Sequence, residues 1–108
     1  MDSLTAEAVL VGWKRAGEDD RAEAAAYYAR VADARLRPLE RIMPAVAEAA
    51  CHGWLDVRAE VPFLGQELVA LGQMIGAWHA RYPPLWPVWD QLRKRASALI
   101  TTYSALIP

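Results

Sequence analysis

Cys51 and His52 stand side by side, and a thiol next to an imidazole is the raw material of a cysteine nucleophile or a zinc site. On a helix, adjacent side chains diverge, so the pair can aim at one metal ion only if the chain unwinds at Gly53. His79, the other histidine, would serve Cys51 as a base only if two segments distant in sequence met in space. Cys51 follows an apolar run that includes Val46 and Ala47, with no Lys or Arg beside it, which predicts a buried and inert thiol. Glu18, Asp19, Asp20 and Glu23 fall where a helix start favours negative charge, and Glu40 and Glu48 lack the Glu-x-x-His spacing of a two-metal bundle. There is no glycine-rich phosphate loop, GxSxG elbow or CxxC pair. These residues predict no catalytic centre, no metal and no cofactor.

Aromatic residues are more concentrated than titratable ones. The stretch WHARYPPLWPVW, from Trp78 to Trp89, holds three of the five tryptophans and three of the seven prolines. A cluster of this kind is either a rigid corner where helices pack or a docking surface that presents its rings to a partner. If it docks a partner, Trp78, Tyr82, Trp86 and Trp89 form the interface, joined by Ile100, Tyr103 and Ile107 of the last segment.

Helices must position these residues. Ser3 caps a first helix over residues 4–16, with Ala6, Val9, Leu10 and Trp13 at helical spacing and Gly17 as its stop. A second helix begins at Asp19 or Asp20 and runs to about Leu36, ended or kinked near Pro38, and a third spans about 39–52 with Pro44 inside it. Gly53 supplies its stop. Asp56 and Pro62 announce a long helix to Arg81, Pro83 and Pro84 end it, and Pro87 opens a last helix to about Ile107. No strand pattern competes. The reading is an all-α, single-domain bundle over residues 1–108, with four to five helices and a proline-kinked second or third helix.

Two seams run along the helix after Pro62. Leu64, Leu68, Leu71, Ile75 and Trp78 repeat at four and three and mark its core face. Beside them Gly65, Val69, Gly72, Gly76 and His79 repeat at the same spacing, so this strip lacks bulk. Each interior glycine costs about 1 kcal/mol relative to alanine, and close approach of another helix is the simplest compensation. The alanine stripe Ala22, Ala25, Ala29, Ala32 of the second helix is the expected partner. The alternative is a ligand groove over Gly72 and Gly76 with His79 at one end.

Twelve basic residues nearly balance thirteen acidic ones, giving a net charge of −1 and no strong field for nucleic acid or an anionic membrane. QELVALGQMIGAWHARYPP resembles a repressor-type helix-turn-helix, but Leu71 and Gly72 stand too close to Trp78 to leave room for turn and recognition helix. Arg93, Lys94 and Arg95 are the one basic run and predict a solvated face. The single cysteine fits the cytoplasm, and no uncharged stretch is long enough to span a bilayer. The final ASALITTYSALIP carries no charge and needs cover from its own chain or a copy. The leading expectation is a non-catalytic interaction or assembly module, a homo-oligomer or the subunit of a partner protein. The alternatives are a small-ligand binder or small enzyme using the glycine groove, and a DNA-binding regulator.

Overall fold

Alanine is the strongest helix former, and the segment after Glu18 is rich in it. In the computed structural model, which describes residues 18–107, this segment becomes α1, a helix from Glu18 to Cys51. The first predicted helix, over residues 4–16, lies outside the described residues. α2 is a single turn, Val57–Glu60; α3 spans Pro62–Arg81; a 3-10 turn, Pro83–Leu85, leads into α4, Trp86–Ala105. There is no strand among the described residues, and the architecture is an all-α bundle.

α1 does not break at either proline. Its 34 residues run through Pro38 and Pro44 as one helix, correcting the expected division into two. Both rings are exposed, while Leu36, Leu39 and Met43 on the opposite face are buried. Burying such a side chain contributes about 1.5 to 3 kcal/mol, and the three together match the cost of two interior prolines at about 3 kcal/mol each. The buried stripe Ala25, Ala29, Ala32, Leu36, Leu39 and Met43 keeps its four-and-three spacing across both prolines.

The helix ends follow their local chemistry. Gly53 has φ 74°, and its N–H donates to Ala50 O at 3.1 Å while Trp54 N–H donates to Ala49 O at 2.9 Å. This is the Schellman arrangement that glycine permits, and it closes α1. Asp56 Oδ1 accepts from Arg58 and Ala59 N–H, and Glu60 Oε2 accepts from Asp56 N–H at 2.7 Å, so the two carboxylates cap α2 reciprocally. Pro62 and Pro87 stand in the first turns of α3 and α4, where the donor that proline lacks would have had no helical partner.

α3 runs antiparallel to α1, with Arg35 paired to Glu67 and Tyr28 stacked on Trp78. α4 runs parallel to α1, its start near Ala26 and Ala29 and its Arg95 reaching Asp33 and Glu40. Leu64, Leu68, Leu71, Ile75 and Trp78 of α3 meet Trp89, Leu92, Ala96 and Leu99 of α4 and the α1 stripe in one core.

Candidate interaction face

The tryptophan corner divides into core and surface. Trp78, Tyr82 and Trp89 are buried within the chain, so their assignment to a partner interface is corrected. Tyr28 of α1 stacks on Trp78 of α3 at 5.3 Å between ring centroids, and Trp78 stacks on Trp89 of α4 at 6.1 Å. This ladder joins all three long helices through large apolar rings. Burial holds the Tyr28 hydroxyl above its ordinary pKa. Trp86 stays half exposed, its ring lying on His79 at 5.5 Å and its Nε1–H donating to His79 O. Ile100 is exposed, while Tyr103 and Ile107 are half-buried.

The glycine seam does not meet the alanine stripe. A Cβ added at Gly65 would lie 2.6 Å from Tyr103 Oη, and one at Gly72 would lie 3.7 Å from Ile100 Cδ1. Gly65 and Gly72 therefore face α4, correcting the expected contact with α1, while Val69 and Gly76 of the same seam are exposed. The alanine stripe lies in the three-helix core instead. Gly76 is exposed, with nothing among the described residues within 4 Å of an added Cβ, and the His79 ring stacks on Trp86.

Cys51 is exposed, which corrects the expected buried thiol. It lies one position beyond half-buried Ala50, past the point where the buried stripe ends at Met43. His52 beside it stacks on Trp54 at 4.4 Å. Tyr28 marks the level of Trp78 and His79 on α1, and Cys51 is 23 residues further along that helix, about 35 Å at 1.5 Å per residue. Cys51 and His79 thus sit at opposite ends of the bundle.

Arg95, read from sequence as part of a solvated run, turns onto α1. Its Nη2 and Nε donate to Glu40 at 2.6 and 3.0 Å, and its Nη1 donates to Asp33 Oδ1 at 2.6 Å. These hydrogen bonds hold the Asp33 and Glu40 carboxyls below their ordinary pKa values and raise that of the guanidinium. Asp33 and Glu40 are seven residues apart on one face of α1, a spacing that could have revealed the clamp. Arg95 also walls a cleft of about 380 Å³ between α1 and α4, but its donors are engaged by the clamp. At the corner, hydrogen bonds from Arg93 and then Lys94 lower the Asp90 pKa, and His79 Nε2 lies 3.9 Å away.

The outward side of α3 is a different kind of surface. Pro62, Gln66, Val69, Gln73, Gly76 and Ala80 repeat at four and three, and every one is exposed. None carries a charge, although 23% of the chain is charged. The two full charges of α3 are Glu67, turned to Arg35, and Arg81 in its last turn. Val69 is 59% and Phe63 57% exposed, and the adjoining half of α4, from Ala96 to Ala105, is also free of charge. Ile100 and Tyr103 join the two uncharged surfaces.

No family model, curated protein or solved structure matches the chain. Among the described residues, no group of three or more His, Cys, Asp or Glu could hold a metal ion, and no helix is long and apolar enough to cross a membrane.

Proposed function

We propose that the protein is a non-catalytic helical interaction module, an adaptor or small structural subunit that docks through the outer side of α3 and the uncharged half of α4. One observation carries this reading. The exposed line from Pro62 to Ala80 has helix-pairing spacing and no charge, with Val69 59% exposed on it and Ile100 37% exposed beside it. A solvated helix face is ordinarily dressed with Lys, Glu and Arg. The interface residues Trp86, Ile100, Tyr103 and Ile107 keep partial exposure and fit this role, with Val69 and Phe63 added to them. The single cysteine fits a reducing cytoplasm.

Light scattering of the purified chain, together with its recovery from host lysate, tests the reading. The wild type is expected to associate with itself or a partner, and Val69→Glu with Ile100→Glu is expected to abolish this while both chains, compared at a dilution where neither associates, melt at the same temperature. A chain that stays monomeric and recovers no partner dependent on Val69 would refute the proposal.

A further inference from the structure

We infer a second docking surface, separate from the outer face of α3: the side of the bundle where α1 meets α4 takes an acidic amphipathic helix of a partner protein. Between Ala26 and Pro44 of α1, the exposed charged residues are Arg30, Arg37 and Arg41, and all three are basic. They recur at seven and four, so one stripe of the helix carries them over about 17 Å. The acids of the same stretch, Asp33 and Glu40, are half-buried and already engaged. Arg95 binds both, and Arg37 Nε lies 2.9 Å from Asp33 Oδ2. Among the described residues, no carboxylate pairs with Arg30 or Arg41. Two unmatched guanidinium groups thus stand on one side of a chain whose net charge is −1, and their complement is a row of carboxylates.

The arginines stand beside an apolar recess. The cleft of about 380 Å³ between α1 and α4 has Ala26, Ala29, Leu85 and Val88 among its walls and Arg30 at its edge. Sites that enclose an apolar group hold roughly 300 to 1,000 Å³, and Val88 is 43% exposed. Arg37 and Arg41 lie about two and three turns beyond Arg30 along α1. A helix lying along the groove would meet this surface with one large apolar anchor in the cleft and carboxylates two and three turns away on the same face. α4 adds no acid to oppose it, since its residues at the cleft are Val88, Gln91, Leu92 and Arg95. A nucleic acid offers phosphates without an aliphatic side chain for the recess, so apolar walls beside arginines favour a protein partner.

Fluorescence anisotropy with two synthetic helices of about 20 residues tests this. The first probe carries a leucine anchor and glutamates two and three turns along the same face of an alanine and glutamine helix. The second has the same composition with its glutamates on the opposite face. The full chain is expected to bind the first about tenfold or more tightly than the second, and less tightly as salt rises. Arg30→Glu with Arg41→Glu should weaken binding about tenfold, and Val88→Asp should weaken it too. All three positions are exposed, so circular dichroism should be unchanged. Val69→Glu with Ile100→Glu should leave this binding intact, which separates it from docking at the outer α3 face. No binding, equal binding of the two probes, or indifference to the arginine pair or to Val88→Asp would overturn the inference. Duplex DNA that binds more tightly than the first probe, and is lost with the same arginines, would make the stripe a phosphate grip and overturn the helical partner.

Discussion

The three glycines of α3 meet three different surroundings, and alanine at each should have a different effect. Alanine in a helix interior is favoured over glycine by about 1 kcal/mol. At Gly76 nothing among the described residues lies within 4 Å of the new Cβ, so the chain should gain the full amount. At Gly72 the methyl meets Ile100 Cδ1 at 3.7 Å, an ordinary contact that adds about 0.1 to 0.2 kcal/mol. At Gly65 it would lie 2.6 Å from Tyr103 Oη and 2.9 Å from Cζ, so the ring must leave the helix surface. Overpacking of this kind costs about 1 to 3 kcal/mol, which cancels or reverses the gain. With an unfolding entropy of about 2.1 cal/mol/K per residue, 1 kcal/mol corresponds to about 4 °C in a chain of this length. Thermal unfolding followed by circular dichroism at dilute concentration should show Gly76→Ala and Gly72→Ala melting about 4 °C higher and Gly65→Ala no higher than wild type. Adding Tyr103→Ser should restore the benefit at Gly65. Equal stabilisation at all three positions, or destabilisation by Gly76→Ala, would refute the packing argument.

Replacing Arg95 with methionine should destabilise the fold by about 1 kcal/mol, a value kept small because all three partners are about one-third exposed. Asp33 and Glu40 have depressed folded-state pKa values, so their contribution is complete above the ordinary carboxylate range and disappears as pH falls through those depressed values. Urea midpoints should therefore fall in acid, and less steeply in Arg95→Met; an equal fall would dismiss the clamp. Trp89→Phe should cost far less than the roughly 3 to 5 kcal/mol of Trp89→Ala, because the buried Nε1 has no hydrogen-bond partner to lose; equal losses in chemical denaturation would contradict this. Cys51, being exposed, should react with a thiol reagent in the native state at nearly its rate in urea, and strong native protection would contradict the structure.

Much of the framework could be read before any coordinates. The seam from Leu64 to Trp78, the stop at Gly53 and the cap at Asp56 are local signals, and local geometry satisfies them. Pro38 and Pro44 misled because their cost is local, whereas the compensation comes from Leu36, Leu39 and Met43 buried by other helices. Residue type alone could not say which rings of the corner face inward. Trp89 and Trp86 are three positions apart near the start of α4, yet one is fully buried and the other half exposed. Arg95 read as solvated because its acidic partners lie 55 and 62 residues earlier. The uncharged line on α3 is also present in the sequence, but it shares Val69 and Gly76 with the small seam, and residue type alone does not say whether those two positions face α4 or solvent.

That long separation between Arg95 and its partners also sets an order of assembly. α3 and α4 are joined by Tyr82 and a three-residue 3-10 turn and meet as a hairpin, a contact that closes little chain. α1 reaches α4 across 55 and 62 residues, so its docking carries the larger loop-closure entropy. The hairpin is expected to form the folding nucleus, and α1 to join after the rate-limiting barrier. Truncating Leu71 or Leu92 should then slow folding, whereas truncating Leu36 should mainly speed unfolding.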